Sequence, residues 1–138
     1  MNRLLTAMAL MMCPASGAAQ QSGLEAAAER ARQAWFVHNP AALVANSPRL
    51  IIQLPGADPS VALAPAHAAA LLTAFLASAQ EVETLMRAAR EVEPGRGYVE
   101  LQRRYRVAGT TDVRSQVLLL GYRWDRGGWS LVELRVVG

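Results

Sequence analysis

Helices in the first half and an antiparallel sheet in the second, an α+β fold, are what this 138-residue sequence predicts. Two observations carry that expectation. Apolar residues recur at helical spacing over 22–38 and 65–79, marking one buried face on each helix. Residues 98–108, 113–124 and 128–137 instead form strand-like runs, with Gly- and Asp-containing turns between them. A hydrophobic fraction of 52% with 18% charged residues belongs to a folded globular chain, and the length suits one domain.

The first helix opens on Ser22 and Glu25 in capping-box spacing, and Leu24, Ala27, Ala28, Ala31 and Trp35 form its apolar stripe. Arg30 and Arg32 point elsewhere, and His38, Asn39 and Pro40 close the helix. A short helical turn through "PAALVANSP" leads into "RLIIQLPG", a strand ended by Pro55 and Gly56. "ADPSVALA" is a loop carrying a short strand. Pro65 suits the first turn of the next helix, whose stripe is Ala68, Leu71, Leu72, Phe75, Leu76 and Ala79. Residues 81–93 are assigned to the sheet, although their Ala and Glu content also suits a helix. Pro94 to Gly97 marks a turn; "GTTD" and "DRGG" separate the later strands, with Gly127 and Gly128 able to supply positive φ. The expected order is helix, short helix, strand, helix and a four-stranded meander.

Residues 1–19 are a different kind of segment. Arg3 precedes an apolar run from Leu4 to Met12, and "PASGAAQ" then offers small residues before a polar change, the layout of a secretory signal peptide. Gly17 and Ala19 fit cleavage after Ala19, which is favoured over cleavage after Ala18 with Ser16 and Ala18. The run is far shorter than the ~20 apolar residues that span a bilayer. A lipoprotein acylated at Cys13 is disfavoured, because Met12 is too bulky for the small residue that such cleavage requires. The expectation is a secreted or periplasmic domain over 20–138. It would contain no cysteine, hence no disulfide and no thiolate site.

All 14 basic residues are arginines, set against 11 acids. A net charge of +3 is too small to argue for nucleic acid, and export removes that target, so no nucleic-acid partner is expected. The strand "GYVELQRRYRV" (97–107) divides its charges by the pleat. Val99, Leu101, Arg103, Tyr105 and Val107 share one face; Tyr98, Glu100, Gln102, Arg104 and Arg106 share the other. Arg104 and Arg106 are then solvated, with Glu100 beside them. Arg103 falls on the apolar face, where a guanidinium needs a carboxylate or a wet cavity. Alternation in the last strand puts Trp129, Leu131, Glu133, Arg135 and Val137 together, and Glu133 is its one acid. Glu133 is therefore expected to pair with Arg103 or to neighbour Arg135, either in a site or as a structural bridge. Tyr105 can present its hydroxyl on the same face. His38 and His67 have no acid or histidine at ligand spacing, so no metal is expected.

The element order, with "LIIQLPG" ahead of the long helix, "YRVAGTT", "LLLGYRW" and the closing "GGWSLVELRV", resembles the nuclear-transport-factor-2-like (SnoaL-type, cystatin-like) superfamily over about residues 23–137. The resemblance implies a cone-shaped, curved antiparallel sheet wrapped around N-terminal helices, with a pocket between them and dimers formed through the outer sheet face. It also implies that the end of the first helix, at His38, lines the pocket. That superfamily hosts isomerases, dehydratases, epoxide hydrolases, ligand binders and dimerisation modules, so the fold leaves function open. Its enzymes usually place acids in the pocket, whereas "RLIIQLPG" carries none and Asp58, Asp112 and Asp125 fall in turns. The expectation is accordingly a non-enzymatic, cofactor-free domain that binds a small molecule, a peptide or a partner protein through Arg103, Tyr105, Glu133, Trp35 and His38. A homodimer through the sheet is also expected. The alternatives are a small lyase- or isomerase-type enzyme using Glu133, Arg103 and Tyr105, and a structural dimerisation module with a closed core.

Overall fold

A computed structural model describes residues 16–138, so Cys13 and most of the expected signal segment lie outside the described residues. Helix α1 (Ser16–Phe36) is followed by α2 (Pro40–Leu43), β1 (Ile51–Gln53) and α3 (Pro65–Leu76). Then come β2 (Ala79–Glu93), β3 (Arg96–Val107), β4 (Val113–Asp125) and β5 (Gly128–Val137). The strands form one five-stranded sheet in the order β1-β5-β4-β3-β2. The meander β2 to β5 is antiparallel, but β1 joins the far edge parallel to β5, pairing Ile51 with Glu133 and Gln53 with Arg135. The sheet is thus mixed, not antiparallel throughout. "ADPSVALA" adds only a bridge between Leu63 and Leu50 in place of a strand.

Helix α1 already runs through Ser22, whose hydroxyl donates to the Ala19 carbonyl at 3.2 Å, so the expected capping-box start is not used. Its apolar stripe does bury: Leu24, Ala27, Ala28, Ala31, Ala34 and Trp35 all enter the interior. The helix stops where the Asn39 N–H returns to the Ala34 carbonyl at 2.8 Å and His38 adopts a φ of 54°. Glycine usually takes that left-handed position; a side chain there costs about 1 kcal/mol. Asn39 then caps α2, its Oδ1 accepting from the Ala42 N–H at 3.2 Å, with Pro40 in the first turn. Helix α3 starts at Pro65 and buries Ala68, Leu72 and Leu76, whereas Ala79 leaves the expected stripe to open β2.

The helices cover one face of the sheet. Val99, Leu101, Leu118, Leu120, Leu131, Leu134 and Val136 point into it and share a core with Leu24, Trp35 and Leu72. Full burial of each such side chain stabilises the fold by about 1.5–3 kcal/mol. Gly97 lies in β3 and not in the turn, because α1 passes directly over it: a Cβ there would sit 2.7 Å from Leu24 Cδ1. The β4–β5 hairpin turns on Arg126 and Gly127, with φ of 52° and 78°, rather than on Gly127 and Gly128. Two positive φ values in a two-residue loop match the twist of the flanking strands.

An extra residue in β5 changes which side chains face the core. Gly121 pairs with Glu133 but Tyr122 pairs with Leu131, so Val132 forms a bulge. Trp129 and Leu131 are buried, and after the bulge so are Leu134 and Val136, while Glu133, Arg135 and Val137 are exposed. An alternation of period two has no place for the inserted residue, so the expectation that Glu133 shares the inward face with Trp129 and Leu131 is wrong.

Candidate functional site

Strand β3 carries Arg103 onto the helix-covered face at 1% exposure, while Arg104 and Arg106 point outward as the pleat predicts. The partner of Arg103 comes from β2. Its Nε donates to Glu81 Oε2 at 3.1 Å, its Nη2 donates to Glu81 Oε1, and its Nη1 donates to Gln116 Oε1 on β4 at 3.1 Å. The Glu81 side chain is as buried as that of Arg103 and also meets His38 Nε2 at 3.1 Å. A carboxylate only accepts, so the facing Nε2 carries a proton. The Arg103 guanidinium carbon lies 4.0 Å from the Tyr105 ring centroid, 5.1 Å from that of Trp35 and 5.9 Å from that of Phe75. Aromatic faces attract a desolvated cation by about 2 kcal/mol.

The fold therefore brings together Arg103, Tyr105, Trp35 and His38 and leaves Glu133 out. Glu133 is exposed opposite Gly121, so neither the Arg103–Glu133 pair nor the catalytic set Glu133, Arg103 and Tyr105 is assembled. Sequence reasoning misses Glu81 and Gln116. Glu81 sits where Ala and Glu suggest a helix, and a register shift between Glu81 and Glu83 turns both Glu81 and Thr84 inward. Plain alternation would put residues three apart on opposite faces. The available signal is the lone inward arginine, which demands a buried acid without naming it. With both charges sealed from solvent and bonded to each other, the cluster has the balance of a structural ion pair.

A separate cleft of about 530 Å³ opens between α1, α2 and the β4–β5 end of the sheet, and none of the expected site residues Arg103, Tyr105, Glu133, Trp35 and His38 lines it, nor does Glu81. Its α1 wall includes Ala27, Ala31 and Ala34, which share one helix face and leave space that longer side chains would fill. Tyr122, Trp129 and Leu131 supply the sheet wall, and Leu43 and Ser47 close the far side. Ser47 is 5% exposed and its Oγ is buried without a hydrogen-bond partner. Burial pushes the Tyr122 phenol well above its ordinary range, against the opposing pull of Arg30, so the hydroxyl stays protonated. Among the described residues lining the cleft there is no Asp or Glu. Arg32 is engaged by Glu29 at 2.6 and 2.9 Å and by the Thr84 carbonyl at 3.3 Å. Arg30 forms no ion pair among the described residues.

Helices on one face of an open five-stranded sheet define the class: an α+β domain with the nuclear-transport-factor-2-like, cystatin-like fold. Solved structures share it. A ketosteroid isomerase-like protein from Erwinia carotovora atroseptica matches with a TM-score of 0.68 at 14% identity, over 85% of this chain and 94% of that one. A domain of unknown function with a cystatin-like fold from Nostoc punctiforme matches with a TM-score of 0.67 at 16% identity, over 86% and 76%. A nuclear-transport-factor-2-like protein of unknown function from Shewanella oneidensis follows at 0.58 and 10% identity, over 83% and 96%. No protein-family model matches the sequence, and no curated protein does. At such identities the likeness establishes the fold, and function has to be argued from this chain's own residues.

Proposed function

We propose that this protein is an exported, non-enzymatic binding domain that holds a small, largely apolar molecule in the cleft between α1, α2 and the sheet. One observation carries the reading. The cleft measures about 530 Å³, within the roughly 300–1,000 Å³ of small-molecule sites, and it combines apolar walls with a few polar groups. A purely structural module gains nothing from the gap that Ala27, Ala31 and Ala34 leave open. Export is supported by where the sheet contacts of α1 fall. The Gln20 carbonyl accepts from Trp129 Nε1 at 2.8 Å, and the Gln21 side chain donates to the Ala89 carbonyl at 2.8 Å. Cleavage after Ala19 keeps both. No helix among the described residues is long and apolar enough to cross a membrane.

The test is binding of N-phenyl-1-naphthylamine, a neutral fluorescent probe. Its emission should rise on the wild-type protein and not on Ala42→Trp, which builds a large ring into the cleft from an exposed position on α2. Equal binding by both proteins would place the ligand elsewhere. The domain is further proposed to pair through its outer sheet face, where Val117 lies across from Val137 with Leu119 two residues along. Sedimentation of a Val117→Arg variant as a monomer, against a wild-type dimer, is the expected result.

A further inference from the structure

We infer that the occupant of this cleft is a monocarboxylate with a hydrocarbon or aromatic body, its carboxylate held by the Arg30 guanidinium beside the Tyr122 hydroxyl. The inference rests on the cleft being a ligand site and adds the chemistry of the ligand. Charge is the first argument. The two arginines of the lining differ, since Arg32 is neutralised by Glu29 whereas Arg30 has no acidic partner among the described residues. One uncompensated positive charge, with no lining acid to oppose it, suits one negative charge. A phosphate dianion would keep a second charge against apolar walls, which is costly, and an amine would meet Arg30 directly.

Shape is the second argument. A guanidinium is a planar fork that matches the two oxygens of a carboxylate. Tyr122 stays protonated because its burial outweighs the field of Arg30, so its hydroxyl is a donor for an anion already attracted to that field. Ala27, Ala31, Leu43 and Leu131 offer hydrocarbon surface for the body of the ligand, and Gln33, Asn39 and Asn46 add neutral polar groups to the lining. Ser47 is the third argument: its hydroxyl is buried at the edge of the cleft with its hydrogen-bonding capacity unused. Buried polar groups are rarely left so, and a bound oxygen-bearing ligand would complete it.

The test uses calorimetric titration of the full chain with octanoate, octan-1-ol and octylamine. Octanoate should bind about tenfold or more tightly than the alcohol, as a charge-assisted pair implies, and the amine should bind least. Arg30→Gln should reduce octanoate to about the level of the alcohol; Tyr122→Phe should weaken octanoate by a smaller factor. Arg30 is exposed and has no ion pair among the described residues, so this variant should fold, as its melting curve would verify. Octanoate and octanol binding equally, with both lost in Ala42→Trp, would overturn the carboxylate and leave the cleft standing. Octanoate preferred to the same extent by Arg30→Gln would also overturn it. Binding of none of the three, nor of the neutral probe, would remove the cleft reading itself.

Discussion

Replacing Arg103 by methionine asks whether the buried cluster is a closed ion pair. The substitution keeps an unbranched side chain but removes three hydrogen bonds, two of them to Glu81, and the cation over Tyr105. The Glu81 carboxylate, 1% exposed, is then left with His38 as its remaining side-chain partner. Orphaning one member of a buried pair costs about 3–5 kcal/mol, and a domain of this size has about 5–15 kcal/mol in all. At a urea slope of about 2 kcal/mol per molar, the unfolding midpoint should fall by roughly 2 M. Combining Arg103→Met with Glu81→Leu removes the orphan charge, and an apolar replacement of a buried pair is often neutral or better. The double variant should therefore recover most of the loss. Urea denaturation followed by circular dichroism, on the wild type, both single variants and the double, yields the coupling energy, expected to be at least about 2 kcal/mol. A loss below about 1 kcal/mol for Arg103→Met, or a double variant as unstable as the sum of the singles, would refute the closed-pair account.

Glu133→Gln should stay within about 0.5 kcal/mol of the wild type, as exposed positions do; a large loss would mean that the side chain has a partner not seen here. Gly97→Ala should cost about 1–3 kcal/mol through overpacking, since its methyl would meet Leu24 Cδ1 at 2.7 Å and Trp129 Cζ3 at 3.3 Å. Thermal melting measures it. Alkaline stability should respond to Tyr122, whose phenol is raised by burial in the folded protein. Its contribution is intact below the unfolded value near pH ~10 and declines above it by up to about 1.4 kcal/mol per pH unit, because the unfolded chain releases the proton first. Tyr122→Phe should flatten that decline in urea midpoints taken between pH 8 and 11, and an unchanged slope would contradict the assignment.

Alternation served well where the strands pair without interruption. Strand β3 meets β4 in continuous register from Arg96 to Arg106, and there the inward Arg103 and the outward Arg104 and Arg106 follow from the sequence. It fails on the bulged strands. Val132 turns Glu133 outward on β5, and the shift between Glu81 and Glu83 turns Glu81 inward on β2. A bulge is an agreement between two strands, here helped by Gly121, where a Cβ would lie 3.3 Å from that of Glu133. Neither strand announces it alone. The parallel pairing of β1 is hidden for a similar reason, since three residues carry no mark of their neighbour's direction.

The order of helices and strands, the buried stripes of α1 and α3 and the need of Arg103 for an acid all belong to the sequence by itself. They follow from local periodicity and from the cost of burying a charge, which require no knowledge of the partner. Which acid meets that need is a tertiary matter: Glu81 lies 22 residues away and is brought in by a shifted register. So is the candidate site. The cleft is the space remaining when three small residues of α1 pack near α2 and the β4–β5 end of the sheet. A volume bounded by several elements is a property of none of them singly, and only their packing creates it.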